Sequence, residues 1–168
     1  MKKETGYAFL SNSRTSVLEK EGEIVWFPCP RFDSKSIFSK ILDEKIGGSF
    51  SIRPEGKYKV STSYIGNSLV AKSTFSTPTG KLEVTDFLPL GLPSIIRIFD
   101  SDVPFTVGIS PMFNYGKTYP KIEVFADGIR FKNPESEESF EISIKGRFRN
   151  CENGNLKFDP GKGHMLTL

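Results

Sequence analysis

Short runs of alternating apolar and polar residues, separated by turn-forming peptides, recur along the chain and predict an antiparallel all-β domain. Ser16 to Glu19 and Glu23 to Phe27 flank Lys20-Glu21-Gly22 as the arms of one hairpin. Leu69 to Thr77 and Lys81 to Phe87 flank Pro78-Thr79-Gly80 as a second. Along its return arm Leu82, Val84 and Asp86 share one face, and Glu83 and Thr85 the other. Lys121 to Phe125 and Ile129 to Lys132 flank Ala126-Asp127-Gly128, where Asp-Gly supplies the positive φ angles of a tight turn. From Glu138 to Lys145 the alternation places Phe140, Ile142 and Ile144 on one face, the pattern of a half-buried strand.

One segment departs from this period. Ile37, Phe38, Ile41 and Leu42 line one side of a short helix over Ser34 to Asp43. Asp33 or Ser34 is placed to cap its start, and Gly47-Gly48 to end the connection that follows. No internal repeat, low-complexity stretch or linker divides the chain, so residues 1–168 are expected to form a single domain. The 15 phenylalanines provide large apolar area for its core, although the hydrophobic fraction is only 37%.

Charge narrows the range of partners. The net charge of +3 arises from 23 basic and 20 acidic residues spread over the whole chain. Lys2-Lys3 and Lys145 to Arg149 are short or interrupted by apolar residues, unlike the clustered basic stripe of a nucleic-acid reader, so nucleic acid is not an expected partner. Cys29 and Cys151 are far apart, with no Cys or His at metal-ligand spacing, so no metal site is expected, and whether the two pair is open. The apolar patch Tyr7 to Leu10 is shorter than a signal-peptide core of about 7 to 15 residues. No run approaches the roughly 18 apolar residues of a membrane span. The expectation is a cytoplasmic protein with no membrane partner and no cofactor.

Few residues could carry chemistry. A nucleophilic triad needs a positioned histidine, and the single one, His164, follows Gly161-Lys162-Gly163 near the end, where an exposed place in a terminal turn or strand is expected. Those glycines lack the surrounding pattern of a phosphate-binding loop. For paired-carboxylate catalysis the candidates are Asp33, Asp86, Asp100 and Asp102. Asp86 stands among apolar neighbours in Val84 to Pro89 and must be hydrogen-bonded or shifted in pKa. A structural acid accepting local backbone bonds is the expected role. Asp100 and Asp102 are expected to shape the turn before Pro104.

The richest cluster is Asn12-Ser13-Arg14-Thr15 followed by Trp26-Phe27-Pro28-Cys29-Pro30-Arg31-Phe32-Asp33-Ser34. It holds the sole tryptophan, and its two prolines force the chain out of a sheet into a stiff loop. Arg31 could pair with Asp33, clamp another carboxylate or stack on a ring. From the residues alone, a structural corner is the leading reading.

At this cluster the sequence resembles the amino-terminal region of bacterial and archaeal members of glycoside hydrolase family 15, the glucoamylases, glucodextranases and trehalases. The entry run is Ser13-Arg14-Thr15-Ser16-Val17-Leu18, then Trp26 and Pro30-Arg31-Phe32-Asp33-Ser34-Lys35-Ser36-Ile37-Phe38. Later blocks follow in the family's order: Gly47 to Pro54, Thr74 to Thr77 with Gly80, Val84 to Leu90, and Pro111 to Gly116. This chain has Ser13, Glu21 and Val25 where the family pattern carries Gly, Asp and Asp. Beyond Tyr119 the likeness is diffuse.

The resemblance implies an antiparallel β-sandwich, supersandwich-like, that precedes a catalytic (α/α)₆ barrel. In the family the barrel carries the two glutamates of an inverting hydrolysis of α-glucosidic bonds, so this chain is expected to lack the catalytic pair. The expected partner is that barrel, in cis or supplied in trans, with a carbohydrate ligand as a further possibility. Arg14, Trp26, Arg31, Phe32 and Asp33 are the residues expected at an interdomain contact or cleft rim. Whether the parent enzyme takes glucan or trehalose is open.

A competing reading is a free-standing carbohydrate-binding or interaction module that uses exposed aromatics such as Tyr58, Tyr64, Tyr115 or Tyr119 as stacking platforms. Strand aromatics are more often core or cross-strand pairs. An immunoglobulin-like adhesion domain is disfavoured because Trp26 precedes both cysteines.

Overall fold

Alternating burial along each strand builds two antiparallel sheets that face one another. The computed structural model describes residues 6–152 and 155–168, with side chains for 6–149 and 155–168. The first sheet contains β1 (Tyr7–Ser11), β2 (Ser16–Lys20), β3 (Glu23–Pro28), β4 (Ser36–Phe38), β5 (Ser49–Pro54), β10 (Phe105–Ser110), β14 (Phe148–Glu152) and β15 (Asn155–Phe158). Its order is β1-β2-β3-β5-β10-β15-β14, with β4 attached to β3. The second sheet contains β6 (Lys59–Tyr64), β7 (Ala71–Thr77), β8 (Gly80–Phe87), β9 (Ile96–Ser101), β11 (Lys121–Val124), β12 (Gly128–Lys132), β13 (Ser139–Lys145) and β16 (Gly161–Thr167). Its order is β11-β12-β13-β16-β9-β8-β7-β6. The result is the all-β sandwich expected from the sequence.

The three predicted hairpins form as β2-β3, β7-β8 and β11-β12. In the first turn Glu21 and Gly22 both adopt positive φ, 52° and 79°, which matches the twist of the flanking strands. A Cβ added to Gly22 would stand 2.5 Å from the Phe75 ring of the facing sheet, so the turn also requires the missing side chain. On β13, Ile142 and Ile144 are buried and Phe140 half-buried, as the alternation requires.

Phenylalanine joins the layers. Phe99 of the second sheet packs on Phe105 and Phe158 of the first, with ring centroids 5.6 and 6.3 Å away, and Phe38 bridges Phe50 and Phe140. Such pairs add roughly 0.5–1.5 kcal/mol beyond the area they bury. The outer edges meet as well: the Tyr64 hydroxyl of β6 accepts from Phe9 N at 2.7 Å and donates to Phe9 O at 3.0 Å on β1.

The helix expected over Ser34 to Asp43 does not form; among the described residues no helix occurs. Ser36 to Phe38 instead pair with the end of β3, and Phe38 goes fully into the core while Ile41 and Leu42 stay exposed. Polar side chains supply the competing bonds. The Ser36 hydroxyl accepts from Phe27 N, Ser39 Oγ donates to Gly47 O, and Asp43 Oδ1 accepts from Lys45 N and Ile46 N. These local bonds offset the helical pattern that the apolar spacing alone predicts.

His164 also differs from expectation. It is half-buried in β16, beside the rings of Phe158 and Phe105, and its Nε2 is enclosed without a hydrogen-bond partner among the described residues.

Candidate functional site

The amino-terminal cluster folds into three adjoining loops. Asn12, buried, is their clamp: its Oδ1 accepts from Arg14 N and Thr15 N, and its Nδ2 donates to Pro89 O and Leu92 O. The Thr15 hydroxyl donates to Pro28 O, and Phe32 N donates to Arg14 O at 2.9 Å. The 12–15, 28–35 and 88–95 segments are thereby held as one corner. An asparagine suits this place because its side chain offers both acceptor and donors to backbone groups that no strand satisfies.

The sequence-predicted residues divide in two. Arg14, Arg31 and Phe32 come together with Ser13 and Gly91 around an open hollow of about 350 Å³. Asp33 stands beside them, bound bidentately by Arg31 at 2.9 and 3.2 Å, with both side chains exposed. That pair holds the Asp33 carboxyl below its usual range, chiefly through the hydrogen bond from Arg31. Trp26 is not part of the hollow; it stacks on Tyr115 with centroids 6.4 Å apart and planes at 19°.

A second, more apolar hollow of about 460 Å³ lies next to the corner, lined in part by Cys29, Lys35, Pro93, Phe113, Phe140 and Leu168. Cys29 Sγ is 3.7 Å from Pro93 O, and burial pushes its thiol up to about 11, so it is a poor nucleophile at neutral pH. The pairing of Cys29 with Cys151 lies outside the described residues, because the Cys151 side chain is not described.

Asp86 lies away from both hollows, fully buried between the sheets. Its partner is a side chain, not the local backbone expected. Arg97, opposite it on β9, donates from Nε to Oδ1 at 2.8 Å and from Nη2 to Oδ2 at 2.9 Å. The same guanidinium reaches across the core to Gly22 O at 2.7 Å and Phe50 O at 3.0 Å, and lies 4.7 Å from the Phe50 ring centroid. Burial works against the Arg97 charge, yet the adjacent Asp86 carboxylate outweighs it and raises the arginine pKa. Glu19 completes the cluster. Its Oε1 accepts from Ser73 Oγ at 2.7 Å, and its buried Oε2 has no hydrogen-bond partner among the described residues. Burial first, and then the Asp86 charge, push Glu19 up to about 8.

Sequence reasoning missed Glu19 and Arg97, although a signal was present. Glu19 shares the strand face of Val17, and Arg97 that of Ile95 and Phe99, so alternation alone assigns both charges to the core side. Asp100 and Asp102 bond backbone groups, Gly163 N and Lys81 N respectively. Among the described residues no group of three or more His, Cys, Asp or Glu side chains is placed to hold a metal, and no helix is long and apolar enough to cross a membrane.

Residues 5–140 match the family described as trehalase-like, N-terminal. Trehalase 2 of Sulfolobus acidocaldarius is 47% identical over 162 residues, covering 96% of this chain and 28% of that protein. Trehalase 1 of the same organism is 45% identical over 135 residues, 80% of this chain and 24% of its own length. The trehalase of Thermoplasma volcanium is 32% identical over 170 residues, 92% and 27% of the two chains. The chain thus spans well under a third of these curated relatives. With a family match over most of its length and relatives of this identity, the chain belongs to the trehalase-like amino-terminal domain family.

Proposed function

We propose that this chain is the non-catalytic amino-terminal domain of a cytoplasmic α-glycosidase of glycoside hydrolase family 15, with trehalose as substrate of the whole enzyme and a catalytic barrel following in cis. The observation that carries this reading is the 96% coverage of this chain against only 28% of trehalase 2. A domain that accounts for so little of a trehalase leaves room for a separate catalytic unit. The chemistry of the core agrees. Glu19 and Asp86, the carboxyls paired in the core, have no solvent exposure and lie against Arg97, so a sugar has no path to them. Acid and base catalysis of glycoside cleavage requires carboxyl groups that flank the bond in an accessible cleft.

The domain's role in this reading is to support the barrel, with Arg14, Arg31, Phe32 and Asp33 at or near the contact and Trp26 on a separate outward face. Glucose release from trehalose and from maltose tests it. The 168-residue chain is expected to release none, and the polypeptide continued to its natural end is expected to cleave trehalose. Release by the short chain in proportion to its concentration overturns the non-catalytic role.

A further inference from the structure

We infer that the loop Leu90-Gly91-Leu92, with Phe32, is the anchor by which this domain docks on the catalytic domain that follows Leu168. The inference rests on the reading that such a domain exists, and deepens it by naming the contact surface and what meets it.

Leu90 is 85% exposed, Phe32 66% and Leu92 55%. Gly91, between the leucines, lines the hollow shared with Arg14, Arg31 and Phe32, so the loop that carries both leucines borders the same hollow as Phe32. Large side chains left this open on a fold with ample core mark a contact site when they are grouped, whereas scattered ones need no explanation. These are also held in place. Asn12 grips the loop on both sides through Pro89 O and Leu92 O, Leu92 N donates back to Pro89 O at 3.3 Å, and Phe32 N is fixed on Arg14 O. A preordered apolar projection loses little conformational entropy on binding, which is how interface hot spots reach high affinity.

The occupant follows from where the chain goes next. Leu168 exchanges both backbone bonds with Ile95, at 2.8 and 3.0 Å, three residues after Leu92. From chain geometry the exit point is therefore on the order of 15 Å from the exposed leucines. The relatives carry more than two thirds of their length outside the matched region, so a tethered domain begins beside this surface at high effective concentration. The matching surface is an apolar pocket with a carboxylate at its rim. Arg14 makes no ion pair among the described residues and is the cation left to meet it, since Arg31 is already held by Asp33.

The test compares the 168-residue chain with the polypeptide continued to its natural end, using hydroxyl-radical footprinting and scanning calorimetry. Labelling of Leu90, Leu92 and Phe32 is expected to fall several-fold in the longer form. L90D together with L92D is expected to restore the labelling of Phe32 and to separate one joint melting transition into two, while T79D in the turn before β8 changes neither. Because both leucines are exposed, the double variant of the short chain keeps its melting temperature. Equal labelling in the two forms overturns the docking surface and leaves the family reading intact. A gene that encodes no further domain overturns both. Dimerisation of the short chain that L90D and L92D abolish makes a second copy the occupant and also overturns the inference.

Discussion

Arg97 and Asp86 face each other across β9 and β8 with no solvent exposure on either side chain, joined by two hydrogen bonds of 2.8 and 2.9 Å. Two further bonds carry the guanidinium to backbone oxygens of the opposite sheet, at Gly22 and Phe50. The pair is therefore a rivet between the layers as well as an ion pair within one of them. It tolerates burial because the carboxylate is gripped bidentately and several guanidinium protons find acceptors.

Breaking that pair on one side leaves an unpaired charge in the core. Asp86→Asn is expected to destabilise the domain by roughly 3–5 kcal/mol. Arg97→Lys should also be poorly tolerated, since an ammonium cannot span Asp86, Gly22 and Phe50 together. Urea unfolding midpoints of the variants check both outcomes.

Glu19 makes stability depend on pH. Its folded-state value, about 8, lies above the ordinary 4.5, so the unfolded chain releases this proton first as pH rises. The stability tied to protonated Glu19 is full below about 4.5, falls through the interval, and is lost above about 8. Ser73, Asp86 and Arg97 are the polar groups that face it from β7, β8 and β9. Glu19→Gln is expected to flatten this decline, on the order of a few kcal/mol, in unfolding midpoints measured from pH 5 to 9. An unchanged slope would place the titration elsewhere.

Removal of the loop clamp should be felt locally. Asn12→Ala frees two loops at once and takes the Asn12 Nδ2 donor from Pro89 O and Leu92 O, leaving Pro89 O with Leu92 N alone, a loss of about 1–3 kcal/mol. Hydrogen exchange at the Arg14 and Thr15 amides, which Asn12 Oδ1 now accepts, is expected to accelerate.

The exposed Arg31–Asp33 pair should behave differently. Both side chains face water, so D33N is expected to leave the melting temperature of the 168-residue chain unchanged. If the corner lies at the domain contact, the same variant lowers activity or joint stability of the longer polypeptide. No change in either sets Asp33 outside the contact.

Substitution at the first hairpin tests the fit of the two sheets. Gly22→Ala places a Cβ against the Phe75 ring at a residue with φ of 79°, and is expected to cost roughly 1–3 kcal/mol. Thermal unfolding measures it.

Much of this domain is legible along the chain. Alternation at Leu82, Val84 and Asp86 places the acid on the core face, Glu21-Gly22 marks a turn, and the Pro28 to Ser34 run marks a corner. Strand period and turn chemistry are local properties, so a single chain displays them. The Ser34 to Asp43 segment shows the limit. Its apolar spacing fits a helix, but pairing of Ser36 to Phe38 with β3 and serine side-chain bonds decide otherwise. Only the tertiary structure shows that Arg97 answers Asp86 and Glu19, that Asn12 reaches backbone oxygens 77 and 80 residues further along the chain, and that Gly91 and Phe32 line one hollow. Each depends on contacts between residues distant in sequence, and local periodicity carries the face of a side chain but not the identity of what it meets there.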